Sequence, residues 1–183
     1  MIRAISPWIV SFALIVVGLE SLEAVGYRMP NQDPEAIARG NAFVATADNP
    51  SAIYFNPAGI TQLEGHQWSL GAYLVSPGID YKSFDGQKAS ADSDVQFVPQ
   101  AYYVYSPQDS PWSFGFGLYA PFGLGADWGS DTPFTTKAEE ATLVYLSFNP
   151  VVAYQVNECL SIAAGLAIDY SDVDFKQSTI PGG

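Results

Sequence analysis

The chain has 183 residues, of which 19 are Asp or Glu and 7 are Lys or Arg, giving a formal net charge of −12. This excludes a nucleic-acid binder, because phosphate recognition requires clustered Lys and Arg. A single cysteine, Cys159, excludes an intramolecular disulfide, and Val156-Asn157-Glu158-Cys159 reads as an ordinary turn rather than a reactive-thiol site.

Arg3, the apolar run Trp8–Leu19 and the short polar tail Glu20-Ser21-Leu22-Glu23-Ala24 have the layout of a secretory signal peptide, with cleavage expected after Ala24. The apolar core is about a dozen residues, short of the roughly 20 that a membrane-spanning helix needs. Residues 1–24 are therefore set apart from the fold. Export without a disulfide framework means that stability comes from another source, such as a closed barrel in lipid.

Beyond the leader, Pro34–Thr46 has a proline in its first turn, then Glu35 and several small residues, which predicts a short helix. Asp48–Ile60 packs two Asn-Pro pairs around an aromatic run. Each proline fixes its own φ and pushes the preceding residue out of helix, so Asn49 and Asn56 are expected to be extended, with side chains that bond nearby backbone. Such a segment suits a plug or capping loop; two plain turns ahead of a β-domain fit it equally well.

Five strand-like runs follow between His66 and Lys176. In Trp112–Ala120 the large side chains Trp112, Phe114, Phe116 and Leu118 fall on one face and Ser113, Gly115 and Gly117 on the other. Leu160, Ile162, Leu166 and Ile168 oppose Ser161, Gly165 and Asp169 in the same way, and Trp68, Leu70, Ala72 and Leu74 line the first run. Gln96–Tyr105 and Leu143–Val156 carry Pro99 and Pro150, which predict an edge, kink or bulge.

Soluble sandwiches alternate too, with an aromatic core, so the connections decide more. They run long (82–94), short (106–111), long (123–141) and very short (157–159), the pattern of outer-membrane barrels with tight periplasmic turns and long external loops. On that assignment Asp85, Asp92, Asp127, Asp131 and Glu139 face outside. The spans Trp68–Val75, Phe97–Tyr105, Trp112–Ala120 and Leu143–Tyr154 contain no charged residue, and Trp68, Tyr81, Tyr105, Trp112 and Tyr170 sit where interfacial girdles belong.

Gly26-Tyr27-Arg28-Met29-Pro30, Ala38-Arg39-Gly40-Asn41-Ala42, Asn56-Pro57-Ala58-Gly59, Gly117–Leu124 and Asn149–Tyr154 leading into Leu160–Gly165 together resemble the FadL/TodX (OMPP1) family of outer-membrane transporters of long-chain fatty acids and hydrocarbons. The resemblance runs from about Gly26 to about Tyr170. It implies an all-β fold, a transmembrane antiparallel β-barrel of fourteen strands, with an N-terminal, partly helical hatch. Residues 25–65 would be the hatch, with Asn49, Pro50, Asn56, Pro57, Ala58 and Gly59 as its gating element. Residues 66–183 would be the first five strands of a truncated barrel, since five strands cannot close. The resemblance also implies that strand irregularities open the barrel wall towards lipid.

The expected function is passive transport of hydrophobic compounds across the outer membrane; a structural or adhesive barrel with partner-binding loops is the alternative. Phe122, Leu124, Trp128 and Phe134 are candidates for an outer ligand surface, since a hydrophobic solute is held mainly by buried area. Arg28, Arg39 and Lys137 are the few cations available to a carboxylate, a scarcity that favours a neutral hydrocarbon. The expected partners are that hydrophobic small molecule, outer-membrane lipid and lipopolysaccharide, around a barrel that is monomeric when complete. No catalytic residue, metal site or cofactor is expected: His66 has no nucleophile or ligand spacing around it, and Asp169, Asp172 and Asp174 read as a solvated loop.

Overall fold

A computed structural model describes residues 28–29, 32–92, 95–130, 132 and 139–177. The expected signal peptide, Asp131, Phe134 and Lys137 lie outside the described residues.

The N-terminal part is a set of short turns. Helix α1 spans Pro34–Ala38, α2 spans Ala52–Phe55, and a 3-10 helix covers Pro57–Gln62. The helix expected over Pro34–Thr46 is thus one turn long. The chain leaves it at Arg39 and runs through turns in which Gly40, Asn41 and Ala47 all take positive φ, a conformation that ends a helix. The Asn-Pro segment is also more ordered than a plain loop. Asn56 is extended, with φ −156°, and separates α2 from the 3-10 helix because Pro57 disfavours the helical region before it.

Strands β1 (Gly65–Val75), β4 (Gln96–Ser106), β5 (Trp112–Tyr119) and β7 (Glu140–Asn157) pair antiparallel in that order. Strand β6 (Gly123–Asp127) continues beside β5 on one edge of β7, and β8 (Leu160–Gly165) and β9 (Ile168–Lys176) share the other edge. Five strand paths result, as the sequence predicts, but two of them are interrupted. Between β5 and β6 the register moves from Tyr119↔Ser147 to Gly123↔Val144, so three residues, Ala120, Pro121 and Phe122, face two on β7. That is a β-bulge. Between β8 and β9 the register is kept and only Leu166 and Ala167 leave the ladder.

Each proline faces an irregularity, as expected, but the irregularity lies in the neighbouring strand and the proline's own strand is continuous. Pro99 lies one residue beyond the last β4–β5 pair, Gln100↔Tyr119, so on that side no ladder remains for it to disrupt. Pro150 accepts a hydrogen bond from Leu166 N at 3.1 Å. In an antiparallel strand the amide and carbonyl of one residue point the same way, so the donor that Pro150 lacks faces the interruption in the neighbouring strand.

Three further corrections concern loops. The first long connection contains a hairpin, β2 (Asp80–Lys82) with β3 (Lys88–Ser90). The second is shorter than expected, because residues 123–127 and 140–141 are strand. Asp169, Asp172 and Asp174 belong to β9, an exposed strand, and not to a loop.

The two faces of the sheet differ as the alternation demands. Trp68, Leu70, Leu74 and Phe97 are 69%, 77%, 73% and 67% exposed. The opposite face, with Val98, Tyr102, Val104, Val151 and Ala153, is buried, much of it beneath the N-terminal turns. An aromatic soluble core would invert this. A contiguous apolar wall turned outward is what a surrounding bilayer requires.

Candidate functional site

The N-terminal turns are tied to one another before they are tied to the sheet. Asp33 caps α1 by accepting from Ala36 N at 2.9 Å. Asn49 accepts from Ser51 N at 2.8 Å and from Ser51 Oγ at 2.7 Å, the local bonding expected of it, and donates to Glu35 Oε2 at 2.9 Å. Asn56 donates to Val44 O at 3.0 Å, and Gln62 to Thr46 O at 2.9 Å. Gly59 packs so closely on Ala47 that an added Cβ would stand 2.4 Å from the Ala47 carbonyl oxygen. The Pro50 and Pro57 rings open the turns that carry α2 and the 3-10 helix, and Ala58 O accepts from Thr61 Oγ1 at 2.9 Å. The expected gating residues therefore lie together in one cross-tied unit.

This unit docks on the small-residue face of β5. Ile53 and Ile60 are 2% and 0% exposed and project at Gly115 and Gly117; a Cβ on Gly115 would meet Ile53 Cδ1 at 2.9 Å. Burial of each isoleucine is worth roughly 1.5–3 kcal/mol. Tyr54 meets Tyr119 edge-on at 5.0 Å, Ser106 Oγ donates to Ile60 O at 3.3 Å, and Thr61 and Ser161 share a hydroxyl hydrogen bond of 2.9 Å.

Arg28, Met29 and Gln32 form a strap that covers the bulge. A bulge frees carbonyls from the ladder, and buried carbonyls need donors. Met29 N donates to Pro121 O at 2.8 Å, and Gln32 Nε2 donates to Ala120 O at 2.9 Å and to Met29 O at 3.0 Å. Tyr102 OH holds the strap by donating to Gln32 O at 3.0 Å.

Arg28 and Phe122, candidates drawn from distant parts of the sequence, are partners in an antiparallel bridge at this bulge. Arg28 donates to Tyr54 OH at 3.2 Å, Phe122 meets Tyr145 edge-on at 5.1 Å, and Asn149 donates to Tyr119 OH at 2.7 Å. The result is an aromatic corner with one guanidinium. The other candidates lie elsewhere. Arg39 pairs with Glu35 and donates to Thr46 Oγ1 at 2.9 Å, all within the turns themselves. Leu124 is in β6, and Trp128 follows it, with its amide bonded to Glu139 O at 2.8 Å.

Sequence reasoning missed Gln32, Tyr54, Tyr119 and Tyr145. Gln32 sits in a proline-flanked stretch with no period, and only the structure shows that it is fully buried. Tyr119 was legible as the end of an alternating run, but nothing local marks the bulge that follows.

A family profile described as outer membrane protein transport protein (OMPP1/FadL/TodX) matches residues 17–181. The chain belongs to this family. An outer membrane protein of Neisseria meningitidis serogroup B is 31% identical over 122 residues, covering 61% of this chain and 26% of the relative. The crystal structure of a Pseudomonas aeruginosa FadL homologue superposes with a TM-score of 0.63 at 16% identity, covering 84% of this chain and 39% of the solved one. That of the Pseudomonas putida toluene transporter TodX gives 0.60 at 24% identity, covering 69% and 32%. The chain thus spans well under half the length of these relatives, and its sheet is part of a FadL/TodX-type β-barrel of the outer membrane.

Proposed function

We propose that this chain is the hatch and first strands of a passive channel for hydrophobic compounds, either long-chain fatty acids or aromatic and aliphatic hydrocarbons. Residues 25–65 act as the lumenal hatch. The observation that carries the reading is the strap: Met29 and Gln32 satisfy the carbonyls that the bulge between β5 and β6 frees, so the wall irregularity and the N-terminal segment are closed by one set of hydrogen bonds. Displacing the strap leaves Ala120 and Pro121 carbonyls unpaired, a cost that an incoming ligand offsets by burying apolar area against Phe122 and Tyr145. Ligand entry and opening of the wall beside the bulge are then one event.

Arg28 is the one cation at that corner among the described residues, and Arg39 is already paired with Glu35. This favours neutral hydrocarbons, or a carboxylate that takes Arg28 alone.

The test is uptake by cells that lack the gene and carry the full-length protein. Asn56→Leu removes the bond to Val44 and is expected to reduce uptake with normal barrel insertion. Unchanged uptake of labelled fatty acid and of toluene on deletion of the gene would defeat the transport reading. Loss of heat-modifiable folding in Asn56→Leu would make the segment structural instead.

A further inference from the structure

A groove on the membrane-facing wall has no part in the site above. It measures about 320 Å³ and is bounded by Trp112, Val152, Tyr154, Ile162 and Ala164, with Ala153 and Ala163 at its floor. Register explains it. Trp112↔Tyr154↔Ile162 places three large side chains in one row across β5, β7 and β8, while the next row, Phe114↔Val152↔Ala164, ends on a methyl group. The wall is therefore hollowed beside Ala164, between Ile162 and Leu166, which are 56% and 64% exposed.

Three observations identify the occupant. The groove is continuous with the apolar wall that faces lipid, its lining is almost wholly apolar, and it lies next to the short turns 107–111 and 158–159, the end that the alternation of short and long connections assigns to the periplasm. An apolar cavity of about 150 Å³ accommodates a benzene, so this hollow takes a substantial part of one acyl chain. Trp112, at the rim, has the amphipathic ring that settles at headgroup level.

We propose that this groove is a binding site for one acyl chain of a phospholipid in the periplasmic leaflet of the outer membrane. It is distinct from the ligand path, because the groove-forming side chains point away from the face on which the hatch docks.

The test uses full-length protein in vesicles of phosphatidylethanolamine and phosphatidylglycerol, doped with phosphatidylethanolamine that carries a diazirine on its acyl chain. After illumination, labelled residues are mapped by mass spectrometry. Label is expected to concentrate on residues 112, 152–154 and 162–164 relative to the flat wall around Leu70 and Phe97. Ala164→Leu fills the hollow and is expected to lower that label about fourfold, the factor for one forfeited buried methylene. Ala72→Leu, on the same wall away from the groove, is expected to leave it unchanged. Heat-modifiability checks that both variants fold, and labelling at Leu70 and Phe97 serves as an internal standard. Uniform label along the wall would overturn the site in favour of ordinary surrounding lipid. Displacement by added toluene or fatty acid but not by unlabelled phospholipid would make the groove a transport exit, and crosslinks between two copies there would make it an oligomer contact.

Discussion

At the scale of single residues the N-terminal unit depends on side chains that are absent as much as on those present. Gly59 exists because the Ala47 backbone occupies the space of its missing Cβ, and backbone cannot swing aside as a flexible side chain does. Gly59→Ala is expected to cost about 1–3 kcal/mol as overpacking. In the full-length protein this should appear as faster amide exchange over residues 47–62, while Gly78→Ala, with nothing within 4 Å, leaves exchange unchanged. Ile53→Ala attacks the same docking from the other side. It removes the side chain that fills the notch over Gly115 and Gly117, at a cost of roughly 2–5 kcal/mol. It should loosen α2 and the 3-10 helix without disturbing β5. Equal exchange in wild type and Ile53→Ala would show that the notch does not hold the unit.

Among elements, alternation made β1, β5 and β8 legible with their apolar faces, because Trp68, Leu70, Phe114 and Ile162 must meet lipid, while β4 and β7 were legible as strands but not by face. What the sequence hid were departures from regularity. Pro99 and Pro150 drew attention as breakers, yet each sits where its missing donor has no strand to serve, and the break falls at Ala120–Phe122. A bulge depends on what receives the freed carbonyls, and here the receiver is Gln32, 88 positions away. Gln32→Leu keeps bulk but withdraws the donor to Ala120 O. The expected result is a bulge exposed to solvent, read as faster exchange at residues 119–123, and a raised basal permeability to hydrophobic dyes. The β2–β3 hairpin offers a pH test. Ser83 Oγ donates to Asp85, which holds that carboxyl below its ordinary value of 3.8. A depressed folded-state pKa stabilises the hairpin above the ordinary value, and the contribution is lost as pH falls through the depressed one. Protease protection of the 83–87 turn should therefore persist at pH 5 and decline in stronger acid, and Ser83→Ala should move the decline to higher pH.

For the whole molecule the decisive quantity is the unpaired edge. Among the described residues β1 has a partner only in β4, and β8 and β9 have a partner only in β7, so both margins of the sheet present free amides and carbonyls. In hydrocarbon each such group costs several kcal/mol. The outward wall is unsuited to water for the opposite reason, since Trp68, Leu70, Leu74 and Phe97 are mostly exposed on it. The sheet therefore requires closure by further strands in lipid. Residues 25–183 expressed alone are expected to aggregate in buffer and, refolded into detergent micelles, to give no heat-modifiable band on gels. The full-length protein under the same conditions should give one. A monodisperse, protease-resistant species from 25–183 alone would mean that the N-terminal turns shield enough of the sheet for it to stand without a barrel. The docking of Ile53 and Ile60 would then contribute to the stability of the sheet itself.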